Sequence, residues 1–430
     1  MRVGAAGDVV AQLSARVVRA DGGRQPRHPA LAAAEARGTR RWCVVTTRAD
    51  YVVAGLGALG SAAAYELASR GHEVVGLERF ELGHAHGASH DSSRILRHSY
   101  HTPAYVRLTQ EAYADWARLE QVSGRDLVTT VGGLDLFPRD AAIPPVDYVD
   151  SLREVGIEHE MLDPAEVTRR WPQLALADDV MALYQRDAAI VPAALGTRTL
   201  QERATRFGAR LQPHSAVVGV TDVGDGLEVA TAEETFGCRG LVVTADAWVN
   251  DVLRHLDLHV PVEVTLEQVT YFRPADPARF APGRMPLWIW MDDPSYYGFP
   301  TYGDATVKAA QDCGGPTVDP DDRTSEPDLA MEQRLASFMA ELLPGSGPPV
   351  RSLRCQYTLT PDRDFVLAPV PELPSVVVGL GAAHGFKFAP TFGRLLADLA
   401  VDGGTATDLT DFRLDRPALT DPAYAAHWLV

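Results

Sequence analysis

Apolar positions along this chain change their period several times, and each change marks an element. Residues 51–54 form an unbroken apolar, partly β-branched run, the mark of a buried strand, which runs straight into Gly55-Leu-Gly57-Ala-Leu-Gly60. Small and apolar residues over 62–69 predict a helix, and a second apolar run, 74–77, predicts the next strand. Tyr105, Leu108, Ala112, Trp116 and Leu119 then recur at helical spacing, which predicts one amphipathic helix over 102–123 with an aromatic core stripe. Strands are expected over 129–138, and helices over 146–155, 166–171 and 193–208. A hairpin joins 216–220 to 227–231 across Gly224-Asp225-Gly226, and a buried-type strand covers 240–244. An aromatic strand-rich stretch runs from 262 to 300. Residues 344–349, with Gly345 and Gly347, read as a loop, and a last strand, 376–379, precedes a closing helix over 390–401.

The first three elements make a β-α-β unit with Gly-x-Gly-x-x-Gly at its turn and Glu78 about 20 positions beyond it, the context of an adenine-dinucleotide site. Gly55 permits the tight turn, Gly57 lets backbone approach a pyrophosphate, and Gly60 lets the helix lie against the strand. Glu78 would accept hydrogen bonds from a ribose diol, with Arg79 beside it as a further cofactor contact. The strand pattern returns to this fold twice more. The expected architecture is α/β: a Rossmann-type FAD-binding domain of residues 49–130, 188–261 and 357–430, interleaved with a strand-rich α+β substrate domain of residues 131–187 and 262–356. Interleaving of this kind favours FAD over NAD(P), because it carries the cofactor deep between domains.

Residues 1–48 hold nine arginines but only Asp8, Asp21 and Glu35 as acids, with no lasting apolar period. They are expected to be an unstructured extension, and Val44 or Val45 could mark an alternative start; no apolar core of a secretory signal is present. A net charge of −17 disfavours nucleic acid and anionic membrane surfaces as partners. No stretch approaches the roughly 20 apolar residues of a membrane helix. Cys43, Cys238, Cys313 and Cys355 show neither disulfide-framework nor zinc-site spacing, which fits a reducing cytoplasm. Of 40 basic residues only Lys308 and Lys387 are lysines. Arginine cannot replace lysine where a compact charge or a movable pKa is required, so both positions are functional candidates. His84, His86 and His90 crowd the loop over 80–93, but no carboxylate or thiol set completes a ligand group, so no metal site is expected.

Four motifs then stand in order: GASHDSSRILRH (87–98), YYGFPTYGDATVK (296–308), CQYTLTPDRDF (355–365) and HGFKF (384–388). Over residues 50–417 the chain resembles the monomeric sarcosine oxidase and N-methyltryptophan oxidase family, flavin amine oxidases related to D-amino-acid oxidase. The resemblance implies a covalent bond from Cys355 to the 8α carbon of FAD, and places Lys308 where it promotes reaction of reduced flavin with O2. It also implies a substrate-carboxylate clamp of Arg97 and Lys387, with Tyr297 and Tyr357 lining the substrate site. Arg94 is expected near the flavin, and Ser93, Gly381, His384 and Gly385 as further cofactor contacts. A monomer is implied, with an amino acid and O2 as small-molecule partners.

Asp312 stands where sarcosine oxidase has a histidine, which favours a substrate bearing an additional donor or cation unless the carboxylate turns outward. Asp246 replaces a glycine before Ala247-Trp248, close to the expected cofactor. The expected activity is oxidation of an N-methyl or cyclic secondary α-amino acid to an imine, with O2 reduced to H2O2. The alternatives are a flavin dehydrogenase, a biosynthetic imine-forming oxidase on a bulkier amino acid, and a non-catalytic flavin-binding redox protein.

Overall fold

The computed structural model describes residues 46–427. The expected N-terminal extension lies outside the described residues except for Thr46–Arg48, which is not unstructured but forms a short strand parallel to Thr235–Cys238.

A six-stranded sheet has the order Arg210–Gln212, Val74–Leu77, Tyr51–Ala54, Gly240–Val243, Leu373–Leu380, Val366–Val370. All neighbours are parallel except the last pair. Its central strands are fully buried, so their continuous Val/Leu runs meet helices on one face and a second apolar layer on the other. Helix Ala58–Ser69 is also almost wholly buried. It packs on Ala193–Arg206 and Ala389–Asp402, and its contact with the latter is so close that a Cβ on Gly393 would stand 2.4 Å from that of Ala62. This all-round burial explains why its sequence shows so little amphipathic contrast.

An eight-stranded sheet runs Pro349–Leu359, Glu263–Phe272, Val307–Gln311, Tyr296–Phe299, Leu287–Trp290, Gly133–Phe137, Met181–Gln185, Glu160–Leu162. Every pair is antiparallel but Leu287–Trp290 with Gly133–Phe137. The pleat sorts its side chains by function. One face carries Leu134, Leu136, Trp288, Tyr296, Val307, Ala309 and Phe272 into a core shared with helix Leu329–Leu342. Register puts Asp135, Tyr297, Lys308, Tyr271, Glu267, Cys355 and Tyr357 on the opposite face. A three-stranded sheet, Arg94–Leu96, Ala189–Val191 and Thr129–Thr130, brings the 87–98 motif against that face.

Candidate flavin and amine site

The nucleotide turn behaves as its glycines require. Gly55 adopts φ +94°, and a Cβ there would meet the Thr244 carbonyl oxygen at 2.6 Å. A Cβ on Gly60 would stand 1.9 Å from the oxygen of Gly55, so only glycine lets this helix start so near its strand. Gly57 caps the helix, and a Cβ there would come 3.1 Å from Ser89 Oγ, which itself accepts from Ala58 N at 2.9 Å. Glu78 is buried at the end of Val74–Leu77; its carboxylate accepts from Leu56 N at 2.8 Å and Phe80 N at 3.0 Å, with His84 Nε2 3.3 Å away. Burial pushes its pKa up, but the His84 bond and the two backbone N–H groups outweigh this and hold it below the ordinary value. Arg79 is engaged elsewhere: it pairs with Asp321 at 2.9 Å and lies 5.5 Å from the Trp248 ring.

Lys308 is buried on the functional face of the large sheet, opposite Phe299 on one side and Tyr271 on the other. Its Nζ donates to Asp91 Oδ2 at 2.6 Å, and to the carbonyl and hydroxyl oxygens of Ser93, each at 3.1 Å. Burial lowers its pKa to about 8, against the pull of Asp91. Arg94 gives its guanidinium to the carbonyls of Ser93, Ala88 and His90, at 2.8, 2.8 and 3.0 Å, and so knits the 87–98 loop.

A second basic cluster centres on Tyr100. Lys387 Nζ donates to Tyr100 Oη at 2.9 Å and to the His384 carbonyl at 2.9 Å, and Arg97 Cζ lies 4.9 Å from the same ring. Arg97 also donates to Ser99 Oγ at 2.9 Å and Asp135 Oδ1 at 3.2 Å. Burial, then Arg97 and Arg363, hold the Lys387 pKa well below the lysine range. Trp116, from the stripe of Pro103–Ser123, fixes the Lys387 backbone through Nε1 to its carbonyl at 2.7 Å. The turn before it is tight: Ala382 and Ala383 take φ +42° and +70°, and a Cβ on Gly381 would come 3.2 Å from Gly385 Cα. Left-handed alanines cost about 1–2 kcal/mol each, strain that concentrates where a site needs a particular backbone path. His384 bridges Tyr100 Oη at 3.3 Å and the Arg363 carbonyl at 3.0 Å, and burial keeps it neutral.

Between the two clusters, Tyr297 Oη and Tyr357 Oη stand 3.3 Å apart. Cys355 is a buried free thiol whose pKa burial pushes up to about 11. Glu267 is its direct cross-strand neighbour and accepts from Gly314 N and Gly315 N, each at 3.0 Å. The Asp312 carboxylate meets Arg363 Nη2 at 2.8 Å, with the Asp312 side chain 22% exposed and that of Arg363 only 5%. Asp246 opens a short turn at φ +49°, and burial lifts its pKa to about 6.

The structure thus gathers Ser93 and Lys308 at one cluster and Arg97, Lys387 and His384 at the other, with Tyr297, Tyr357 and Cys355 on the intervening face. Asp91 and Arg363, which lie within the 87–98 and 355–365 motifs but were given no role there, join these groups together with Asp135 and Glu267. The groups suit a flavin: a glycine cradle, an acid fixed at the second strand, and His90, whose buried Nε2 has no hydrogen-bond partner among the described residues. Such an arrangement defines a dinucleotide-binding oxidoreductase. The family model for FAD dependent oxidoreductase matches residues 50–399, and the chain belongs to that family. It is 36% identical to monomeric sarcosine oxidase of Streptomyces avermitilis over 83% of this chain and 94% of that protein. It is 29% identical to N-methyl-L-tryptophan oxidase of Yersinia pestis, over 85% and 99%. Among solved structures it is similar to NikD, described as an unusual amino acid oxidase essential for nikkomycin biosynthesis, with 28% identity, TM-score 0.78, and 86% and 98% of the two chains covered.

Proposed function

We propose that this flavoprotein oxidises an N-methyl or cyclic secondary α-amino acid to its imine and reduces O2 to H2O2. The observation that carries the reading is the convergence of two buried basic side chains, Arg97 and Lys387, on Tyr100. Asp135 already pairs with Arg97 at 3.2 Å, so an anionic substrate group would be a counter-charge for Lys387 and a further partner for Arg97, each charge-assisted hydrogen bond being worth roughly 1.5–3 kcal/mol. The 87–98 loop, Glu78 and the turn at Gly55 to Gly60 would hold FAD, with Cys355 as its covalent attachment point. The parts of the chain that build the six-stranded sheet would form the cofactor domain and those that build the eight-stranded sheet the substrate domain. When bound there, FAD would supply the two-electron acceptor for the substrate C–N unit and the donor for O2.

The chain's own groups do the rest. Arg97 and Lys387 fix the substrate carboxylate, and Tyr297 and Tyr357 close the site with hydroxyls that burial keeps protonated. Asp312 offers an acceptor to a donor on the substrate side chain, and Lys308 presents an ammonium to the negative charge that grows on O2. The test compares an N-methyl amino acid with its methyl ester under anaerobic conditions, reading flavin bleaching. Loss of the carboxylate charge should lower the reduction efficiency by about 100-fold or more, as expected for two charge-assisted bonds; equal efficiency would refute the clamp.

A further inference from the structure

Asp91 occupies a demanding position. Its backbone is left-handed at φ +77°, a conformation that disfavours residues with a Cβ. Three contacts keep it there: its carbonyl accepts from Ala194 N at 3.0 Å, Tyr271 Oη donates to Oδ1, and Lys308 Nζ donates to Oδ2 at 2.6 Å. Tyr271 is itself braced, by Ser92 Oγ at 3.1 Å and by Arg351, whose Cζ lies 3.9 Å from its ring. With the two Ser93 oxygens, all three hydrogens of the Lys308 ammonium have a partner, so its direction is fixed.

We propose that Asp91 is a positioning residue that keeps the Lys308 ammonium charged and aimed, so that the reaction with O2 depends on this carboxylate as well as on the lysine. The inference rests on the reading above that Lys308 serves the O2 reaction. The groups facing Lys308 explain why a partner is needed. Arg94 is a second cation, Phe299 and Tyr271 present rings at 5.0 and 5.9 Å, and Cys355, whether a thiol or joined to FAD, carries no charge. Burial and Arg94 both push the lysine toward the neutral amine, and Asp91 is the one carboxylate in direct contact with it among the described residues. In forming H2O2, O2 takes up two electrons and two protons. The first electron makes superoxide, whose charge an ammonium attracts and a neutral amine does not.

The chain has only two lysines, which makes the test direct. Full-length protein labelled with lysine carrying 13C at Cε gives two lysine resonances, assigned with Lys308→Met and Lys387→Met. They are titrated with and without bound flavin in wild type, Asp91→Asn and Asp91→Gly, two substitutions that tolerate the left-handed backbone. The Lys308 resonance should titrate at least one pH unit lower in both variants, and the pH above which reduced enzyme reoxidises slowly in air should fall by the same interval. An unshifted Lys308 titration overturns the role of Asp91, even if Lys308→Met still slows reoxidation. If Lys308→Met leaves reoxidation unchanged, the role given to the lysine itself fails, whatever Asp91 does.

Discussion

Asp312 and Arg363 lie 51 positions apart in the chain and meet at 2.8 Å, carboxylate to guanidinium, with the arginine the more deeply buried partner. Arg363 has a left-handed backbone, φ +59°. Burial and the pair act in opposite directions on the guanidinium, and the Asp312 carboxylate prevails, holding its pKa above the ordinary arginine value. Arg363 thus supplies Asp312 with a counter-charge from within the chain.

Removing that acid leaves Arg363 buried without this counter-charge. Asp312→Ala is expected to cost about 3 kcal/mol of stability, in the range for one partner lost from a buried pair. Urea unfolding of Asp312→Ala, Arg363→Met and the double variant checks it: the double variant should lose less than the sum of the two single losses.

Gly60→Ala tests the nucleotide turn. A methyl 1.9 Å from the Gly55 oxygen and 2.5 Å from Thr244 Oγ1 forces the helix off the strand. The purified variant should carry little flavin, read as the ratio of 450 nm to 280 nm absorbance; a wild-type ratio would show that the turn tolerates displacement.

Cys355→Ala tests the attachment. Wild-type protein precipitated with acid should keep its yellow colour in the pellet, whereas the variant should release flavin to the supernatant. Release from both would leave the buried thiol free.

A pH effect follows from His98, which lies against Tyr113 at 4.2 Å and bonds Thr109 Oγ1 through Nδ1 at 2.7 Å. Burial lowers its pKa to about 4 from an unfolded value of roughly 6.5. Between these values the unfolded chain binds a proton that the folded chain does not, so stability rises with pH across the window and levels off above it. The span is about 3 kcal/mol. Unfolding free energies at pH 4.5 and 7 should differ less in His98→Gln than in wild type.

What was legible in the sequence was local or compositional. The glycine turn and Glu78 are fixed by spacing within one β-α-β unit, and the aromatic stripe of Pro103–Ser123 by helical period. Lys308 and Lys387 stood out because arginine has displaced lysine everywhere else. The pairings of Asp91, Asp135 and Arg363 were not legible, although two of them lie within the quoted motifs, because each partner is brought in by tertiary packing 217, 38 and 51 positions away. Helix Leu329–Leu342 was missed although Met331, Leu335, Met339 and Leu342 keep helical spacing behind an Asp328 N-cap. It follows a Pro- and Asp-rich run, 316–328, that carries no apolar period. Arg79, expected beside the cofactor from its adjacency to Glu78, pairs with Asp251 and Asp321, partners that the sequence does not bring near it.

The most direct test is an anaerobic titration of the purified yellow protein with N-methyl and cyclic secondary amino acids, followed by admission of air. At least one of them should bleach the flavin bands, and air should restore the colour with one H2O2 formed per flavin. Bands that persist through the whole series, or bleach and then recover without peroxide, would contradict the proposed oxidation.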